Sequence, residues 1–230
     1  MQKNKRRIIF DIITIYPDCV ESYLNCAILK KALGLGIIKI NIHNLRDYAS
    51  DKHRSVDDSP YGGGPGMLMK IEPVFKCLKK ILKKKNSKTK VIVFTPRGKI
   101  YNQKMARDFS KLERIIMICG RFEGIDERVV KYLADMNVSI GNYVLAGGEI
   151  PALALVESVS RLLPGVLGEQ NSLNEESFTL GDDDLEYPQY TRPEKFVMEK
   201  GGKSLNVPKV LLSGDHAKIK EYRLKQAKKR

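Results

Sequence analysis

Long apolar runs are missing from these 230 residues. None reaches the ~18 residues that a membrane-spanning helix needs, and no apolar core follows the basic stretch from Lys3 to Arg7 as it would in a secretory signal. Membrane insertion and export are therefore not expected. Cysteine is scarce: its four copies, at positions 19, 26, 77 and 119, lack the close pairing of a zinc or redox motif. The three histidines, His43, His53 and His216, are too scattered to form a metal cluster. No metal ligands are nominated, and a reducing cytoplasm is the economical compartment. Cys19 and Cys26 stand seven apart in an apparent helix and are expected on one buried face. The Gly-rich turn that follows the first strand of a Rossmann-type enzyme is missing too, because Ile15 is followed by Tyr16-Pro17-Asp18-Cys19. Gly201-Gly202-Lys203-Ser204 imitates the end of a phosphate loop, but Val197 stands where the earlier glycine is required. There is no internal repeat.

Positive charge is plentiful. Lys and Arg number 41 against 27 Asp and Glu, a net charge of +14, which makes a polyanion the expected partner, nucleic acid ahead of an anionic membrane surface. Short β-branched runs recur at Ile8–Ile15, Ile37–Ile42, Val91–Phe94, Ile115–Ile118 and Val138–Ile140, separated by stretches of helical period. That alternation predicts an α/β fold with a largely parallel sheet. One helix is expected to follow Pro17 and close at Gly34 and Gly36. Another opens at Pro73, with Val74, Phe75, Leu78, Ile81 and Leu82 on one stripe. From Lys76 to Lys90 there are eight Lys and no acid, a pattern that fits either a solvated face or an RNA-facing patch. Charge then reverses: residues 169–186 hold seven acids and no base, and read as a flexible acidic linker. The expected organisation is a ligand-binding domain over 1–168, that linker, and a small basic helical domain over 187–230. Its last stretch, Asp215 to Arg230, carries seven Lys or Arg against two acids.

Glycine gathers in three places. These are the run from Asp57 to Met67 (Asp-Asp-Ser-Pro-Tyr-Gly-Gly-Gly-Pro-Gly-Met), Cys119-Gly120-Arg121-Phe122-Glu123-Gly124, and Ile140-Gly141-Asn142-Tyr143-Val144-Leu145-Ala146-Gly147-Gly148-Glu149. The last two directly follow expected strands, at the carboxyl ends where open α/β sheets bind ligands and where glycine lets backbone amides approach closely. Each cluster alone reads equally as a tight turn or a binding loop.

Together with Lys52-His53-Arg54, Ser160–Gly168, Glu186–Pro193 and Val210–Ala217, the clusters closely resemble the bacterial tRNA (guanine-N1)-methyltransferase family of TrmD type, in family order along nearly the whole chain. The resemblance implies a fold of the SPOUT class, in which the chain threads a deep trefoil knot, an exception to the rule that chains are unknotted. It implies S-adenosyl-L-methionine (S-adenosylmethionine) as methyl donor, N1 of guanosine at position 37 of tRNA as acceptor, and an obligate homodimer, with no DNA partner. The cofactor residues carried over are Pro96, Gly98, Gly120, Arg121, Phe122, Glu123, Gly124, Ile140, Gly141, Asn142, Tyr143, Val144, Leu145, Gly147 and Gly148. Two catalytic positions are implied. Arg161 matches the arginine that stabilises charge on guanine O6, and Glu176 stands where the family has the aspartate base of an Asp-Ser-Phe pattern, here Glu176-Ser177-Phe178. Asn142 likewise replaces an aspartate of the family's cofactor loop, and Asp182 to Asp184 look like a short insertion. Family members have been linked to Mg2+, which the acidic segment would attract, though no ligand set stands out. Two alternatives remain, a SPOUT enzyme methylating ribose 2′-OH and a noncatalytic RNA-binding protein.

Overall fold

Near-unbroken apolar sequence builds the centre of the molecule. Ile8–Thr14 (β1) is buried along almost its whole length, as expected of a strand covered on both faces. It lies between Ile38–Asn44 (β2) and Arg114–Ile118 (β6), parallel to both. Thr89–Ile100 (β5) and Met136–Ser139 (β7) complete a five-stranded sheet in the order β2-β1-β6-β5-β7, all parallel. The structure is a computed structural model that describes residues 7–168, 176–179, 181, 184–199 and 202–229. The chain divides into two units, Met1–Gly168 and Glu169–Arg230.

Alternation along β1 assigns its two faces to two cores. Phe10 and Ile12 pack with residues of Pro17–Leu24 (α1), Ala27–Gly34 (α2), Gln103–Phe109 (α4) and Glu149–Ser160 (α6). Ile13 packs with residues of Ile71–Ile81 (α3) and Glu127–Tyr132 (α5) on the opposite side. The result is the helix–sheet–helix layering expected of the alternating sequence. A two-stranded ribbon, Asp57–Asp58 (β3) with Leu68–Met69 (β4), carries the first glycine cluster between its strands.

Three local expectations need correction. The helix after Pro17 is two helices, broken at Asn25 and Cys26, with Ala27 at a φ of 26°. That break takes Cys19 and Cys26 out of a common helical phase, and both are exposed. The helix expected from Pro73 begins two residues earlier, at Ile71, and its Phe75 is exposed because Val74, Cys77 and Leu78 fill the inward stripe.

A buried carboxylate crosses the sheet, and nothing in the sequence pattern marked it. Asp11 is fully buried in mid-β1 and accepts from Arg114 Nε on β6 (2.7 Å) and from Asn41 Nδ2 on β2 (3.0 Å), with His43 Nε2 at 2.8 Å. Burial pushes this carboxyl up, but the bonds to His43, Arg114 and Asn41 together outweigh it and hold Asp11 below the usual carboxylate range. A depressed carboxylate contributes stability that is present above its unfolded value, near ~3.9, and lost as pH falls through the folded value. Asp11→Asn is expected to cost about 2–4 kcal/mol at pH 7, by stranding the partly buried Arg114 and His43. Urea unfolding of both proteins checks this, and the gap between them should narrow below about pH 4.

The second unit is not purely helical. Lys195–Val197 (β9) and Ser204–Asn206 (β10) form an antiparallel hairpin, and Asp184–Leu185 (β8), inside the segment expected as linker, pairs with Lys228–Lys229 (β11). The expected terminal helix is His216–Gln226 (α7), whose N-cap Asp215 accepts from the Lys218 amide at 3.1 Å. The remainder of the linker, residues 169–175, 180, 182 and 183, lies outside the described residues.

Candidate active site

Parallel strands bring the loops at their carboxyl ends to one edge of the sheet, and the three glycine clusters meet there. The Gly148 amide donates to the Gly120 carbonyl at 2.9 Å, joining the loops after β6 and β7 backbone to backbone. A Cβ on Gly148 would stand 2.7 Å from the Cys119 Cα, so no larger residue fits without parting the two loops. The first cluster joins from the other side. The Glu123 amide donates to the Met67 carbonyl (3.0 Å) and the Met69 amide to the Gly124 carbonyl (2.9 Å). A third approach comes from β5, where a Cβ on Gly98 would lie 2.5 Å from backbone atoms of Val138. The segment Pro96-Arg97-Gly98 thus runs against the end of β7, and the Tyr101 amide closes it by donating to the Ser139 carbonyl at 2.8 Å.

A polar strut holds this edge in shape. Glu149, the first residue of α6 and buried, accepts from Thr14 Oγ1 at the end of β1 (2.6 Å) and from Arg121 Nε (2.9 Å). The Arg121 guanidinium lies over the Tyr16 ring, 4.7 Å from its centroid. Thr14, Tyr16 and Glu149 were not among the residues expected at the site. A glutamate at the head of the otherwise apolar Ile150–Val156 stretch was the available signal, since a charge placed there needs a partner. Around the strut, Asn142, Tyr143 and Val144 are exposed, as are Phe122 and Glu123, while Ile140, Gly141, Leu145 and Gly147 are half-buried.

Cys119 sits at the centre of the joined loops. Burial and the nearby Glu149 carboxylate push its thiol well above its ordinary value. It stays protonated and inaccessible at neutral pH, so it is unsuited to nucleophilic chemistry.

Glycine loops that admit backbone atoms this closely, beside an edge with exposed aromatic Phe122 and Tyr143, fit a flat nucleoside held by backbone groups. Residues 8–230 match the family model described as tRNA (Guanine-1)-methyltransferase TrmD. The chain belongs to that family. It is 50% identical over 220 residues to the tRNA (guanine-N(1)-)-methyltransferase of Dictyoglomus turgidum, covering 96% of this chain and 85% of that one. With the enzyme of the same name from Clostridioides difficile it shares 47% identity over 219 residues, 95% of this chain and 91% of the relative.

The two positions to which the TrmD resemblance gives catalytic roles lie in different units. Arg161 is half-buried at the C-cap of α6, its amide donating to the Glu157 carbonyl at 3.0 Å, so the helix that begins at Glu149 ends at Arg161. Glu176 opens a turn in the second unit, where the Thr179 amide donates to its carbonyl at 3.2 Å. That turn is tied down locally: the Phe178 amide donates to the Asp184 carbonyl (2.7 Å) and the Glu186 amide to Ser177 Oγ (2.9 Å).

Proposed function

We propose that the protein transfers the methyl group of S-adenosylmethionine to N1 of guanosine 37 in tRNA, as a SPOUT-class homodimer whose chain is knotted at the cofactor loops. One observation carries the reading. Three glycine clusters far apart in sequence converge on the carboxyl edge of one parallel sheet, with glycine required at Gly98 and Gly148 by backbone contact. The knot is supported by β5, which meets Val138 of β7 twice, from Phe94 and again from Lys99, so that residues 95–98 bend round the end of that strand. Exposed apolar side chains at Tyr143 (55%), Val144 (85%) and Ile150 (61%) suit burial against a second copy.

In this reading Pro96, Gly98, residues 120–124 and residues 140–148 hold the cofactor, with Arg121 acting through its strut to Glu149. When bound, the sulfonium donor supplies an already activated methyl group. The protein's task is to align the acceptor, remove the N1 proton and stabilise negative charge building on O6. The Arg161 guanidinium serves the oxyanion, and the Glu176 carboxylate takes the proton. The basic stretch 187–230 grips tRNA phosphates, so affinity should fall as salt rises. Mg2+ is a candidate auxiliary ion at the acidic segment and the cytoplasm the expected compartment; no helix among the described residues is long and apolar enough to cross a membrane.

The test is transfer of labelled methyl from S-adenosylmethionine to two transcripts differing only at position 37. Label in the guanosine transcript and none in the adenosine transcript is expected; equal labelling would overturn the assignment.

A further inference from the structure

We propose that the amino-terminal edge of the sheet in the first unit is a second RNA-binding surface, which grips the phosphate backbone of tRNA outside the anticodon arm. The proposal rests on tRNA being the substrate.

All five strands are parallel, so their starts share one edge, opposite the glycine loops. Helix α3 runs between the two edges. It begins at Ile71, just after Met69 binds the Gly124 loop, and ends at Ile81, shortly before Thr89 starts β5. Lys79 to Lys90 therefore lie at the starting edge, where Lys39 is the second residue of β2 and Lys111 precedes β6. The carboxylates described there are already engaged by lysines. Asp135 binds Lys85 (2.5 Å), Glu113 binds Lys88 (2.8 Å) and Asp108 binds Lys111 (2.8 Å). Lys79, Lys83 and Lys84 are exposed and have no carboxylate partner among the described residues.

Lys76 is paired with Glu72 and Lys80 lies over the Tyr48 ring, whereas Lys79 in the last turn of α3 and Lys83 and Lys84 just beyond it present their charge outward. An extended polyanion suits such a row, exchanging its condensed counterions for lysines. A seven-residue strand at ~3.3 Å per residue separates the two edges by roughly 20 Å. The nucleotide held at the glycine loops thus cannot also contact these lysines, which leaves them to a more distant part of the same tRNA.

The experiment uses the full chain carrying Lys79→Gln, Lys83→Gln and Lys84→Gln together, all surface changes outside the catalytic and cofactor loops. Affinity for a complete tRNA transcript and for its isolated anticodon stem-loop is measured across a salt series. The expected result is a roughly tenfold or greater loss of affinity for complete tRNA, with the slope of log K against log salt reduced by about 2–3, one unit per lost phosphate contact. Stem-loop affinity, and turnover at saturating tRNA, should be unchanged. Unaltered tRNA affinity and slope would overturn the proposal, and so would equal losses for both RNAs, which would signify general electrostatic attraction instead of a grip on a distant arm. Failure of the methyltransferase reading itself would appear separately, as no methyl transfer by the unsubstituted protein.

Discussion

Arg161→Ala is expected to lower kcat by about 10²-fold or more while leaving S-adenosylmethionine affinity unchanged. Removing a single donor from an oxyanion site costs ~10²–10³ in turnover, because the donor acts on charge that develops only in the transition state. Arg161 suits that task. It stands at the C-cap of α6, whose first residue, Glu149, is tied to Thr14 and Arg121, so its backbone is held by an anchored helix. Arg161→Lys retains the charge but loses the planar fork, and should restore turnover only partly. Single-turnover methyl transfer with both substrates saturating measures the effect. Near-normal turnover in Arg161→Ala would remove the residue from its role.

Glu176→Gln is expected to produce the second large loss, again of about 10²-fold or more, within the ~10²–10⁴ that a positioned base contributes. A free carboxylate titrates near ~4 and is intrinsically a weak base for a neutral guanine. In the proposed mechanism proton removal depends on Arg161 stabilising O6 in the same step, so the two losses should be far from additive in the double variant. The family's aspartate is one methylene shorter, and a displacement of roughly 1 Å can cost about 10² in rate where a site cannot adjust. Glu176 lies in a turn rather than a long helix, a setting better able to reposition a carboxylate. Glu176→Asp should accordingly change the rate only mildly, and Glu175→Gln and Asp182→Asn should have small effects. Wild-type chemistry in Glu176→Gln together with its abolition in Asp182→Asn would transfer the base to the inserted acids.

Much of the first unit was legible because its strands are short β-branched runs, which have few other ways to bury themselves; each of the five expected strands is found within a few residues of its place. Helix interruptions were less legible. Nothing in the period of residues 17–36 signals the break at Asn25–Cys26, so the cysteines were assigned to a buried face they do not occupy. Asp11 interrupts an apolar strand, yet its partners Arg114 and Asn41 come from strands far away in sequence, and only the sheet register joins them. The same holds for the Thr14–Glu149 bond, across 135 residues. At the candidate site, strand ends pointed to the loops at Cys119–Gly124 and Ile140–Gly148. The roles of Arg161 and Glu176 came only from family resemblance, since neither spacing nor composition separates a catalytic arginine from any other residue at the end of a helix. The hairpin of the second unit went unread because Lys195–Val197 and Ser204–Asn206 are too short and too polar to stand out.

The most direct measurement is the identity of the modified nucleoside. Purified protein is incubated with S-adenosylmethionine and an unmodified tRNA transcript bearing guanosine at position 37, and the RNA is digested to nucleosides and analysed by mass spectrometry. The account requires 1-methylguanosine, mapped to position 37 by fragment analysis. A 2′-O-methylated nucleoside, or methylation at another position with guanosine 37 untouched, would contradict it.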